Sequence, residues 1–151
     1  MKKRLIQLTT LSLLMSLVFG LVVSASAAAP KSELEIQASS YFHTENLGLA
    51  AVGSGKITVE IDVVSTAKMQ ELGATDLYIY EVQSDGRYTQ VAHYTRDRYP
   101  VLIKKDVSQA IIQLTYQGKA GKRYYAEARC YAKNASGSGT RWASSSIITA
   151  T

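Results

Sequence analysis

The chain has one cysteine, two prolines, one tryptophan and two histidines among its 151 residues. Each scarcity excludes something. A lone Cys130 closes no internal disulfide, so stability has to come from a packed core. Zinc takes three or four clustered His or Cys ligands, and Cys130, His43 and His93 are the entire supply, widely separated. Calcium takes several Asp or Asn residues in one loop, and Ser84-Asp85-Gly86 has instead the composition of a turn. There is no Gly-x-Ser-x-Gly, and the serines gather in loops, so no serine nucleophile is marked. The sequence assigns no cofactor, no metal and no catalytic residue.

A charge excess of one sign is also missing from the body of the chain. Three of the 17 basic residues and none of the 12 acidic ones lie in the first four positions, leaving 14 against 12, a net charge of +2. That balance calls for no nucleic-acid partner. Long apolar runs are absent with one exception. Leu5–Val23 is free of charge, follows Lys2, Lys3 and Arg4, and precedes Ala25-Ser26-Ala27, which puts small residues at −3 and −1 of a cleavage site. Residues 1–27 are expected to be a secretory signal peptide, cut after Ala27, with Ala29 as the alternative. The expected location is secreted, extracellular or associated with the cell envelope, with membrane contact only through the signal before cleavage. Residues 28–40 form a lead-in, and 41–151 the folded domain.

What is present is a period of two. Ile57, Val59, Ile61 and Val63 alternate with Thr58, Glu60, Asp62 and Val64. Leu77 and Ile79 alternate with Tyr78 and Tyr80, and Ile112, Leu114 and Tyr116 with Gln113 and Thr115. Tyr124, Ala126, Ala128, Cys130 and Ala132 alternate with Tyr125, Glu127, Arg129, Tyr131 and Lys133. Strict alternation predicts strands with one face on a core and one in water. Turn residues divide them: Gly53-Ser54-Gly55, the hairpin signal Ser84-Asp85-Gly86, Gly118–Gly121 and Asn134–Gly139. With an early strand in 34–52 and a last one near 141–151, the pattern predicts about seven strands, an all-β two-sheet sandwich. Thr66–Ala74 is the one short helical candidate, stopped by Gly73.

From Leu114 onward the chain resembles a fibronectin type III domain or an immunoglobulin-like relative. The resemblance lies in Leu114, the turn at Lys119–Arg123, Tyr124, the alternating strand, Asn134-Ala135-Ser136-Gly137-Ser138-Gly139 and Ile147–Thr151. It implies a corner tyrosine at Tyr124 whose phenol bonds back to the backbone around Gly118–Gly121. More narrowly, Tyr41-Phe42, Gly55-Lys56-Ile57, Leu72-Gly73-Ala74, Ile79-Tyr80-Glu81 and the YYA…YAKNASGS run resemble a family of small secreted proteins of Firmicutes. That likeness implies no activity.

Several constellations carry chemistry on paper. Cys130 shares the inward face of Tyr124, Ala126 and Ala128, which predicts a buried, inert thiol. Glu60 and Asp62 stand on one strand face about 7 Å apart by strand rise, the basis of an alternative reading as a small secreted carboxylate-dependent hydrolase. Arg96, Arg98, Lys104 and Lys105 make a basic loop interleaved with Tyr94 and Tyr99. The outward positions form the favoured candidate. In a fibronectin-type arrangement Tyr78, Tyr80, Tyr125 and Tyr131 share one exposed sheet face with Arg129, Glu127 and Lys133. The sequence thus predicts a non-catalytic extracellular binding module, with a cell-surface glycan or protein as partner.

Overall fold

The computed structural model describes residues 40–151. The expected signal peptide and almost all of the lead-in lie outside the described residues. Seven strands follow in order: β1 (Phe42–Gly53), β2 (Lys56–Val82), β3 (Tyr88–Thr95), β4 (Ile103–Gln117), β5 (Arg123–Asn134), β6 (Gly137–Ser144) and β7 (Ile148–Thr149), with a short 3-10 turn at Pro100–Leu102. All pairings are antiparallel. The all-β expectation holds. Among the described residues no helix is long and apolar enough to cross a membrane.

Strand β2 organises the rest. It runs 27 residues without a break, so the runs starting at Ile57 and Leu77 are one strand, and the helix expected at Thr66–Ala74 does not form. Its first half lies between β1 and β4, with Ile61 opposite both Leu47 and Ile112. Its second half lies between β3 and β5, with Tyr80 opposite Gln90 and Tyr125. β6 extends the second ladder from β5. The pairing with β4 is interrupted between Val64 and Met69 and then resumes as far as Gly73. In the interruption the Ser65 hydroxyl lies within donating distance of two carbonyls, Ala67 at 2.6 Å and Ser108 at 2.9 Å, which share its one proton.

Gly73 sits at the crossing and opposes Ile103 of β4 and Tyr131 of β5. Its φ of +151° and the Leu102 carbonyl oxygen, which stands where a Cβ would have to go, leave room only for glycine. In sequence this glycine reads as a helix stop. In the fold it permits a close backbone approach inside a strand.

The predicted alternation fills the core. Ile57, Val59, Ile61 and Val63 from the first half of β2 are buried, as are Leu77 and Ile79 from the second. Tyr124, Ala126, Ala128, Cys130 and Ala132 of β5 join them in one hydrophobic cluster with Phe42, Leu47 and Ile112. Both ladders therefore supply the same core. Arg141 of β6 ties the ladders at the rim, donating to both carboxylate oxygens of Glu45 on β1 at 3.0 and 3.2 Å.

Hairpin chemistry is as the composition indicates. The β2–β3 turn closes with Gly86 N–H on the Gln83 carbonyl (3.0 Å) and Gln83 N–H on the Arg87 carbonyl (2.8 Å). At the β5–β6 turn the Asn134 side-chain oxygen accepts from Ser136 N–H (2.8 Å) and Gly137 N–H (3.1 Å), an Asx turn. Two boundaries need correction. The last strand expected at 141–151 is two strands, β6 and β7, separated where Ser145 turns inward and its hydroxyl accepts from Ala126 N–H at 2.9 Å. The basic loop is shorter than expected, because Tyr94 belongs to β3 and Lys104 and Lys105 to β4.

Candidate functional site

The outer face of the β3–β2–β5–β6 ladder carries an aromatic cluster. Period two turns Tyr78 and Tyr80 of β2 and Tyr125 of β5 away from the core. Tyr78 and Tyr80 are 6.4 Å apart between ring centroids, and Tyr80 is 6.1 Å from Tyr125. Tyr131, expected beside them, lies further along β5 opposite Gly73, with the Arg96 guanidinium over its ring at 5.2 Å. Arg129 stands between, opposite Asp76 on one side and Trp142 on the other.

Three further rings complete the face. His93 of β3 stacks on Tyr78 at 4.2 Å with 12° between planes. Tyr88 meets Tyr125 edge-on at 5.3 Å and Tyr80 at 6.4 Å. Trp142 of β6 lies 6.1 Å from Tyr78. Two of the three are the rings most open to water: Trp142 is 59% exposed and Tyr88 54%, whereas the interlocked tyrosines are half-buried. Sequence reasoning missed all three. Trp142 carried a signal, since it alternates with Ala143 on a predicted strand. His93 and Tyr88 carried a misleading one. Ile79 opposes Ala92 while Tyr80 opposes Gln90, so Val91 is an extra residue, and the bulge puts an odd-numbered and an even-numbered residue on the same face.

Polar groups are set at the ring edges. Glu127 accepts from the Tyr125 hydroxyl at 3.0 Å and the Tyr80 hydroxyl at 3.4 Å. Burial first, then the Glu127 charge, pushes the Tyr80 phenol above its ordinary range. Burial also raises Tyr125, against an opposing bond from Ser144. Both phenols are therefore neutral donors at neutral pH. His93 Nε2 lies 2.9 Å from Asp76 Oδ1. Burial would raise the Asp76 pKa, but hydrogen bonds from His93 and Thr75 and the charges of His93 and Arg129 hold it below the usual carboxylate range.

Two shallow clefts flank Tyr125. One, about 360 Å³, is walled by Trp142, Ser144, Tyr125 and Glu127. The other, about 380 Å³, is walled by Tyr80, Tyr88, Tyr125 and Glu127. A third, about 470 Å³, continues past Asp76 to Arg96, Arg129 and Tyr131.

The remaining candidates fall elsewhere. Cys130 is fully buried on the opposite face of β5, and burial, then the Glu45 charge, pushes its thiol up to about 12. His93, occupied with Tyr78 and Asp76, lies on the outer face and cannot serve it as a base. Glu60 and Asp62 each accept a glutamine amide across the ladder, from Gln113 at 2.6 Å and Gln109 at 2.9 Å. Those bonds occupy the two carboxylates as surface cross-strand partners. Arg96 is drawn towards Glu71 and Asp97, each at 3.9 Å. Among the described residues no three His, Cys, Asp or Glu side chains converge on a metal-sized space.

No family model matches the chain, and no curated protein matches it. Among solved structures it is similar to two single-residue variants of superoxide reductase (neelaredoxin) from Ignicoccus hospitalis. One is 12% identical with a TM-score of 0.33, over 75% of this chain and 84% of that one. The other is 11% identical with a TM-score of 0.34, over 78% and 86%. Overlap this low assigns neither fold nor chemistry.

Proposed function

We propose that the chain is a secreted, non-catalytic binding module of the bacterial cell envelope or extracellular space, docking a glycan on the outer face of β3–β2–β5–β6. We further propose that the sheet folds over on itself as a two-layer immunoglobulin or fibronectin-type-III-like sandwich. The flanking of one β2 half by β1 and β4 and of the other by β3 and β5, over a shared core, supports that architecture.

The observation that carries the reading is the exposed Trp142 on edge strand β6. Cross-strand pairing accounts for Tyr78, Tyr80 and Tyr125, which shield one another. It does not account for Trp142 or Tyr88, each of which leaves more than half its surface in water. An exposed aromatic patch lowers solubility and calls for a reason. A pyranose ring supplies one, because it offers a C–H face to an indole or phenol and hydroxyls to the polar groups around it. Glu127, Ser144, Asp76 and Arg129 stand where such hydroxyls would reach.

A shallow site of this kind binds weakly, with a Kd on the order of 10 μM to 1 mM, or about 4–7 kcal/mol. The test is retention on purified cell-wall polysaccharide and on mucin, wild type beside a Tyr78→Ala/Tyr125→Ala variant checked for folding. Loss of retention in the variant, insensitive to salt, supports the platform. Equal retention of both proteins refutes it, and retention of wild type only on a protein column gives the face to a protein partner.

A further inference from the structure

The aromatic face does not end at Trp142. Along β5 the next outward residue after Glu127 is Arg129, which opposes Trp142 of β6 and Asp76 of β2. Directly opposed residues carry their Cβ atoms about 5 Å apart, so one ligand ring can touch both side chains. Arg129 forms no ion pair among the described residues. The neighbouring carboxylate, Asp76, is taken by His93 at 2.9 Å. Arg96, on the far wall, is held over Tyr131 and close to Glu71 and Asp97. Between the two arginines lies the cleft of about 470 Å³, whose wall carries the hydroxyls of Thr75, Thr95, Ser138 and Thr140 and also the carboxylates Asp76 and Asp97.

An arginine that closes no ion pair of its own, although its charge is felt by Asp76, and that stands beside an exposed indole above a polar cleft, is a reader for a planar anion attached to a ring. The guanidinium fork matches a carboxylate bidentately, and this is the strongest hydrogen-bonded pairing available to an exposed side chain. We infer that the platform selects acidic sugars: a carboxylated pyranose stacks on Trp142 while its carboxylate is held by Arg129. This rests on the glycan reading above and gives it a substrate class. Trp142 supplies ring affinity and Arg129 supplies choice.

The experiment uses two carboxylated probes, tetragalacturonate and sialyllactose, each beside its methyl ester, titrated by calorimetry at low salt and at about 0.5 M salt. The esters keep the ring and lose the charge. Wild type should bind at least one acid about tenfold tighter than its ester, and which acid does so separates a hexuronate from a sialic-acid source. Arg129→Gln should bring acid and ester within about twofold of each other. Trp142→Ala should weaken both. Lys56→Gln, which removes the same charge at the start of β2, should keep the preference, so that general attraction by a basic protein is told apart from Arg129. Equal binding of acid and ester, or no binding of any of the four by a protein still retained on cell-wall polysaccharide, overturns the acid preference and leaves the platform standing. Failure in that retention as well removes both.

Discussion

The hydroxyl oxygen of Tyr124 accepts a hydrogen bond from the backbone N–H of Lys119 at 2.9 Å, closing the turn that leads into β5. The ring reaches that position by lying on Gly118, where a Cβ would come within 2.9 Å of it. Tyr124 is almost fully buried, and its neighbour Tyr125 faces the opposite way. Tyr124→Phe leaves the Lys119 amide without its partner and should cost roughly 1–3 kcal/mol. Tyr125→Phe leaves Glu127 still able to reach water and should cost under ~0.5 kcal/mol. Urea denaturation of the two variants separates the cases, and equal losses would mean that the inward and outward faces of β5 are misassigned.

Gly73 and Gly48 make a matched pair. Alanine at 73 meets the Leu102 carbonyl and an unfavourable φ, so Gly73→Ala should cost at least about 3 kcal/mol or prevent folding. A Cβ at Gly48 has nothing within 4 Å, so Gly48→Ala should stay within about 0.5 kcal/mol of wild type. Thermal melts of both decide the matter. An unperturbed Gly73→Ala would deny that β2 crosses between ladders at this residue.

Much of this fold is written plainly in the sequence, and the exceptions share a cause. Alternation marks Ile57–Val63 and Tyr124–Ala132 because each packs one face on one core and has a regular partner. Thr66–Ala74 breaks the pattern where β2 passes from one set of partners to another. Its Lys-Met-Gln-Glu-Leu content favours helix, and tertiary pairing overrides it. The candidate face divides similarly. Tyr78, Tyr80 and Tyr125 follow from parity alone, whereas Tyr88 and His93 depend on a bulge at Val91 that no residue type announces. Tyr131 follows parity too, but counting gives no distance, and its place opposite Gly73 sets it apart from the ring cluster.

Cys130 is expected to be inert in the native state. With the thiol fully buried and pushed up to about 12, a thiol reagent should label it only as fast as the chain opens, and rapidly in denaturant. Cys130→Ala should lower stability by about 1–2 kcal/mol. Fast labelling of the folded protein would contradict the inward placement.

Asp76 should make stability fall in acid. Its folded pKa is depressed, so its contribution is present above the unfolded value of about 3.9 and is lost as pH falls through the folded value. The urea midpoint of wild type relative to Asp76→Asn should be constant above about pH 5 and should converge below about pH 4. A difference that stays the same from neutral pH down to about pH 3 would show that the His93 and Arg129 surroundings do not favour the charged carboxylate.

The chain's single tryptophan stands on the proposed platform, so its fluorescence reports on the site with no added label. Soluble cell-wall oligosaccharide titrated into the folded protein should shift and saturate the Trp142 emission, with a Kd on the order of 10 μM to 1 mM. The same titration of the Tyr78→Ala/Tyr125→Ala variant should give a flat line, because the neighbouring rings that hold the sugar are gone. An unchanged Trp142 emission on titration with an oligosaccharide that the protein demonstrably retains would contradict the account, since the sugar would then be bound on another surface.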